Sequence, residues 1–246
     1  MHVCRGLYPA TASEPTIRLT NGEFAPLTSV KMKHGGVFSH IVTEALASSG
    51  YQVEYGFFPW KRAFVMAKNG QWDGSVTWGF RDEFTEDFSY SEPVFTIYVY
   101  LYHRKNFVFN WQEDSDLEGV KLGVNRGYLD EYMLNQMQKR GLNITYQSTT
   151  TELQNFRALL SGRVDVVISA GLIAERLVRD NFTKSEQQNI AQHPRPFRVT
   201  PLHVLISRKI DHTEEFTSAI NRGLEALRES GRYQALLDEF EAGGYE

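Results

Sequence analysis

A short pattern that occurs twice constrains this chain more than any other feature. Lys68-Asn69-Gly70-Gln71-Trp72-Asp73-Gly74-Ser75-Val76 is echoed by Leu160-Ser161-Gly162-Arg163-Val164-Asp165-Val166-Val167-Ile168. Each copy reads as a helix end, a glycine stop, two residues, an aspartate and an apolar strand. Glycine suits the stop because it adopts the left-handed backbone that closes a helix. The strand needs an apolar run because helices cover both faces of a mostly parallel sheet. Two copies therefore predict two α/β units of similar build.

The rest of the chain agrees with that alternation. Ile17-Arg18-Leu19 is a short strand. Val37, Phe38, Ile41, Val42, Ala45 and Leu46 recur at helical spacing before Gly50. Strands are expected over residues 51–57 and 72–78, with a helix carrying Trp60, Ala63, Phe64 and Ala67 between them. Residues 94–102 alternate strictly, placing Phe95, Ile97, Val99 and Leu101 on one face and Thr96, Tyr98, Tyr100 and Tyr102 on the other. A second series follows: strand 120–124, a helix from Leu129 closed by Lys139-Arg140-Gly141, strand 144–147, helix 152–160 and strand 164–168. Pro194, Pro196 and Pro201 make residues 193–201 an extended connector poor in backbone donors. Asp211-His212-Thr213-Glu214 has capping-box spacing before a long helix, and a last helix follows Gly231. Residues 1–15 lack periodicity and any apolar stretch long enough for a signal peptide, and read as a flexible leader.

Composition narrows the function classes. Thirty acidic residues against 26 basic ones argue against a dedicated nucleic-acid binder. The single cysteine, Cys4, excludes an internal disulfide and a cysteine-based zinc site, and its neighbours suit an unmodified thiol better than a lipidated one. The seven histidines stand at no metal-binding spacing, so no metal or cofactor is expected. No nucleophile elbow, P-loop or dinucleotide fingerprint is present. The cluster Asp82, Glu83, Glu86 and Asp87 reads as a solvated turn. The positive signal is aromatic: Phe, Tyr and Trp together make up 13% of the chain.

Several of those aromatics fall where open α/β sheets receive ligands, beyond the carboxyl ends of strands. Phe24 follows the first strand, Phe57-Phe58-Pro59-Trp60 opens a helix directly after another, and Trp78 ends a third. Each suits core packing as well as ligand lining. Arg81, just past Trp78, could clamp a carboxylate in paired hydrogen bonds. Gly127-Tyr128 starts a helix whose free backbone donors favour an anion.

From about Thr16 onward the ordered set of motifs resembles the bacterial extracellular solute-binding proteins of the amino-acid type, solute-binding family 3. The likeness rests on Gly22-x-Phe24-Ala25-Pro26, Gly36-Val37-Phe38, Trp60, Asn69-Gly70-x-x-Asp73 and Tyr90-Ser91-Glu92-Pro93. In the second half it rests on residues 117–124, Ser161-Gly162-Arg163-Val164-Asp165 and Gly231-Arg232-Tyr233. The resemblance implies a periplasmic-binding-protein type II clamshell: lobe 1 from residues 16–97 plus 206–246, lobe 2 from 98–205, joined by two crossover strands. It implies capture of a small solute in the periplasm for the membrane permease of an ABC importer, by a monomer with no nucleic-acid partner and no catalysis.

Carried over residue by residue, Phe24 matches the aromatic that covers the ligand, Trp60 the aromatic opposite, and Thr77 and Trp78 the groups that meet its carboxylate. Glu23, Gly79, Arg126, Tyr128 and Ser169 complete the expected ligand set. The family's carboxylate-clamping arginine is replaced by Phe84 or Thr85, leaving Arg81 as the local substitute. Its ammonium-pairing aspartate is Ala170 here, and its Ser/Thr pair is Tyr128-Leu129. A free amino acid needs both charges paired in a water-excluding site, so a flatter, aromatic or weakly anionic solute is expected. An enzyme on the same scaffold, with Glu23 as acid or base, and a sensor input domain are the alternative readings.

Overall fold

A computed structural model describes residues 15–245; Cys4 and the leader that precedes Pro15 lie outside the described residues. The chain runs β1 (Thr16–Asn21), α1 (Val37–Ala47), β2 (Gln52–Phe57), α2 (Trp60–Lys68), β3 (Gly74–Gly79), β4 (Phe88–Tyr90) and β5 (Phe95–Arg104). It continues with β6 (Lys121–Asn125), α3 (Leu129–Lys139), β7 (Thr145–Thr149), α4 (Glu152–Leu160), β8 (Val166–Ala170), α5 (Gly171–Asn181), α6 (Lys184–Gln188) and β9 (Ile190–Gln192). β10 (Arg198–Ser207), α7 (Thr213–Glu229) and α8 (Arg232–Glu241) follow. Two compact units result, one reaching to Val94 and resuming at His203, the other spanning Phe95–Leu202. The chain thus crosses at 94/95 and 202/203, rather than between 97 and 98 and between 205 and 206.

In the first unit β1 lies between β2 and β3, parallel to both. The last residues of β10 run beside β3 and pair antiparallel with β4, Leu205 opposite Tyr90. Ile17 and Leu19 of β1 and Ile41, Val42 and Leu46 of α1 are fully buried, as the helical and strand periodicities require. α1 packs on α7. Gly223 of α7 makes that approach possible, since a Cβ there would lie 1.9 Å from the Ala45 carbonyl oxygen.

In the second unit β6 lies between β7 and β8, again parallel to both. β5 is antiparallel to β8, to β9 and to the first residues of β10. The core on one face is Tyr102, Phe156, Leu159, Val164, Val167 and Ala174. Tyr102 belongs to the polar-looking face of β5, yet it is buried because α4 and α5 cover that end of the sheet.

The echoed pattern does the same work in both units. Gly70 and Gly162 take left-handed backbones, φ 72° and 76°. Asp73 then donates its N–H to the Arg18 carbonyl (2.9 Å) while its carboxylate accepts the Arg18 N–H (2.7 Å). Asp165 makes the same exchange with Lys121, at 2.7 and 3.1 Å.

Three expectations are corrected. β8 begins at Val166, because Val164 and Asp165 are spent on the turn that carries this exchange. The expected connector over 193–201 ends in strand, Arg198–Pro201 pairing with β5; within its unit this stretch is an edge, where proline's missing donor is tolerated. Helix α5 was not anticipated, although Ala174 is buried and Leu177 and Val178 pack on the same core.

The α1–α7 contact yields a direct test. Gly223→Ala should destabilise the protein by about 1–3 kcal/mol, the usual range for overpacking a close contact, read as a lower thermal midpoint with unchanged far-ultraviolet circular dichroism. An unchanged midpoint would mean that the two helices part there without loss.

Candidate functional site

The parallel strands of the first unit place the segments after β1, β2 and β3 at one sheet edge. Trp60 opens α2 immediately after β2 and lies against the bare backbone of Gly22, where a Cβ would come within 2.5 Å of the indole ring. The Trp60 indole N–H donates to the Glu23 carbonyl (3.2 Å). Its ring meets Trp78, at the end of β3, edge-on at 5.5 Å. Trp78 in turn donates its indole N–H to Ser75 Oγ (2.7 Å) and packs on Phe64 at 5.2 Å. Trp60, Trp78, Gly22 and the Glu23 backbone are therefore brought together. Trp78 also belongs to the unit's aromatic core, beside Phe64, Phe84 and Tyr90.

Thr77 is the unusual residue of this edge. Its φ is 71°, in the region that β-branched side chains avoid, and its buried hydroxyl has no hydrogen-bond partner. Strain and an unsatisfied buried polar group at one residue are features that concentrate at binding sites. Gly79, half-buried, ends the same strand.

Other expected residues of this unit stand less close. Phe24 sits in a tight turn closed by backbone bonds with Thr28 at 2.8 and 3.1 Å; among the described residues no ring contact joins it to Trp60 or Trp78. The Glu23 carboxylate accepts the Val30 N–H (3.0 Å) and is exposed. The Arg81 guanidinium lies 3.4 Å from the Glu83 carboxylate and 5.3 Å over the Phe84 ring, in solvent.

In the second unit the ends of β6 and β8 and the starts of α3 and α4 converge. Tyr128 caps α3, and Ser169, buried, is the penultimate residue of β8. Ser169 hydrogen-bonds to, and the partly exposed Tyr128 couples electrostatically with, a residue that the sequence reading missed, Glu152, the first residue of α4. Its Oε2 is buried without a hydrogen-bond partner. Burial pushes the Glu152 carboxyl up to about 7; the Ser169 hydroxyl opposes the rise and Asp130 adds to it. The Tyr128 phenol is likewise raised, by burial first and then by Glu152.

Asp130 is itself occupied, accepting from Arg198 Nε and Nη2 at 3.1 and 2.9 Å. Asn155 donates to Asn125 (2.8 Å) behind it. Arg126 does not join this group. It lines a separate cavity of about 610 Å³ with Ser148, Gln154, Arg157 and Arg163. Among the described residues no cluster of His, Cys, Asp or Glu is arranged to hold a metal ion.

No family model and no curated protein matches this sequence. Solved structures do match, at low identity. A histidine kinase sensor domain with similarity to periplasmic binding proteins superposes with a TM-score of 0.71 at 18% identity, covering 92% of this chain and 96% of that one. An amino acid ABC transporter substrate-binding protein from Streptococcus pneumoniae, bound to L-arginine, gives 0.67 at 22% identity, covering 92% and 94%. The GluR0 ligand-binding core from Nostoc punctiforme, in complex with L-glutamate, gives 0.67 at 15% identity, covering 91% and 98%. The chain thus has the α/β periplasmic-binding-protein fold expected from its motifs, the fold of amino acid ABC transporter substrate-binding proteins.

The strain at Thr77 is separable from its hydroxyl. Thr77→Gly and Thr77→Ala both remove the hydroxyl, but only glycine relieves the backbone. Thr77→Gly should be more stable than Thr77→Ala by about 1 kcal/mol, the cost of a left-handed residue bearing a Cβ, in denaturant unfolding. Equal stabilities would mean the backbone there is unstrained.

Proposed function

We propose that this chain is a periplasmic solute-binding protein that captures a small amino-acid-like solute with a flat or aromatic part. It hands that solute, unaltered, to the membrane permease of an ABC importer. The observation that carries the reading is the edge-on pair of Trp60 and Trp78 at the strand end that also holds Thr77, with its strained backbone and unpartnered hydroxyl. An apolar wall with one unsatisfied polar group is what a small-molecule site requires. Gly79, next in the strand, and Phe24, after β1 at the same edge, are available to extend it, and Arg81, held by the exposed Glu83 and the Phe84 ring, can turn toward an anionic end. The fold supports the class of function: the similar structures named above are a transporter's substrate-binding protein, a ligand-binding core and a sensor domain. Among the described residues no helix is long and apolar enough to cross a membrane. We take the working form to be a monomer. The match to a histidine kinase sensor domain supports a second reading, in which the same solute capture serves as a receptor's input.

The test is a thermal-shift screen with L-arginine, L-glutamate, L-tryptophan, 4-hydroxybenzoate and putrescine, with each compound assayed for turnover. A true ligand at a hundredfold excess over its Kd should add about 2.7 kcal/mol of stability. Trp60→Ala should weaken that ligand at least ~10-fold, and Trp60→Phe should retain part of the affinity, since aromatic contacts contribute about 0.5–1.5 kcal/mol beyond burial. Ligand affinity indifferent to both substitutions would refute the site, and chemical conversion of the ligand would refute capture without catalysis.

A further inference from the structure

Glu152 is out of place as a structural residue. An exposed acid in the first turn of a helix complements the helix dipole, but this one is only partly exposed, and its buried Oε2 has no partner. The other buried carboxylate nearby, Asp130, is matched by Arg198, whose Nη1 also reaches Thr200. With Glu152 ionised, Glu152, Asp130 and Arg198 carry one uncompensated negative charge. A buried charge in that condition is strongly disfavoured unless a counter-charge arrives.

We propose that Glu152, in the second unit, receives a cationic nitrogen of a small solute, an ammonium or guanidinium group. This rests on the solute-capture reading and names the ligand's charge. The oxygens around the carboxyl group fit the role: the Ser169 hydroxyl from β8 hydrogen-bonds to it, and the Asp130 carboxylate from α3 and the partly exposed Tyr128 phenol ahead of α3 lie close enough to share its electrostatics. Tyr102 of β5, itself raised chiefly by burial, also feels its charge. None of these groups is a cation. The site therefore gathers oxygens, hydroxyls able to accept among them, around a carboxylate with one unpartnered oxygen, a setting that suits a single positive charge. Ala170, where the family resemblance calls for an acid, leaves Glu152 without competition for that charge.

The direction with pH follows from a carboxyl that titrates at about 7. Below that pH it is protonated and cannot pair; above it the carboxylate is available, so affinity for a cation rises from pH 6 to pH 8 by about 10-fold. Without ligand the sign reverses. A folded-state pKa above the unfolded value stabilises the fold at low pH, and the advantage is lost as pH rises toward the folded value. Glu152→Gln should therefore raise the thermal midpoint at pH 8 and change it little near pH 5.

The experiment follows the Glu152 carboxyl carbon by NMR in glutamate-labelled full-length protein, with Glu152→Gln assigning the resonance. Charged and neutral probes are compared as pairs, n-butylguanidinium against n-butylurea and putrescine against 1,4-butanediol. The expected result is a midpoint near 7 that falls when a cationic probe is added and stays put with its neutral partner. In parallel, the cationic probe should show ~10-fold tighter binding at pH 8 than at pH 6, a dependence that Glu152→Gln abolishes. A resonance titrating in the ordinary carboxylate range, or one that no cation moves, overturns the proposal. Should the neutral probes or 4-hydroxybenzoate still bind in a Trp60-dependent manner, solute capture stands and only the role of Glu152 falls. Movement of Glu152 by a cation with binding indifferent to Trp60 would do the reverse.

Discussion

Everything at the strand ends depends on two aspartates that lock parallel strands in register. A parallel pair gains slightly less per residue than an antiparallel one, and a slip by one residue would turn its side chains to the opposite face. Asp73 and Asp165 prevent this by exchanging two bonds each with the central parallel strand of their unit, β1 and β6, one through the backbone N–H and one through the carboxylate. Charge-assisted bonds of this kind contribute about 1.5–3 kcal/mol. An arginine reinforces each: Arg18 reaches the Gln71 carbonyl beside Asp73, and Arg104 joins Asp165 to the Leu159 and Val164 carbonyls. The guanidinium comes from β1, the strand that the aspartate bonds, in one unit and from β5, a neighbouring antiparallel strand, in the other. The two units thus share a carboxylate device but not the cation that supports it.

With register fixed, each unit's functional groups are delivered to a single edge, but the two edges differ in chemistry. The first carries rings and a strained hydroxyl. The second carries a desolvated acid among hydroxyls. Thr77 stores backbone strain and Glu152 an unfavourable burial, and both persist only because well-packed strands hold them: Val76 ahead of Thr77 and Val167 and Ile168 ahead of Ser169 are almost fully buried. Local costs of this kind are tolerated where a partner absent from the free protein will offset them.

The architecture was legible in the sequence because its signals are periodic or repeated. Helical spacing located α1, α2, α3 and α4 to within a residue or two, and the echoed glycine and aspartate revealed two units of one build. Trp60 and Trp78 were legible as strand-end aromatics, although not that Trp78 is shared between the edge and the core. What escaped lacks a local signature. α5 begins without a side-chain cap, at Gly171 after Ala170, so no start signal marks it. The turn of Thr77 to positive φ is set by the chain around it, inside a run, Ser75-Val76-Thr77-Trp78, that reads as plain strand. Glu152 is hidden most completely, since an acid at a helix start is the commonest of capping patterns and nothing in the neighbouring residues announces its burial.

That last case separates what a one-dimensional pattern can and cannot carry. The charge state of Glu152 depends on Ser169 and Asp130, which lie on two other segments brought together where Asp165 registers β8 beside β6. Reading the ligand's charge by carrying residues over from a family position finds Ala170 and concludes that an acid is missing. Reading it from the packed structure finds an acid supplied by a different segment to the same strand-end surface. The absence of an acid at one position is therefore no measure of a site's charge; the balance of buried carboxylates against buried cations is, and in this unit one carboxylate is left over.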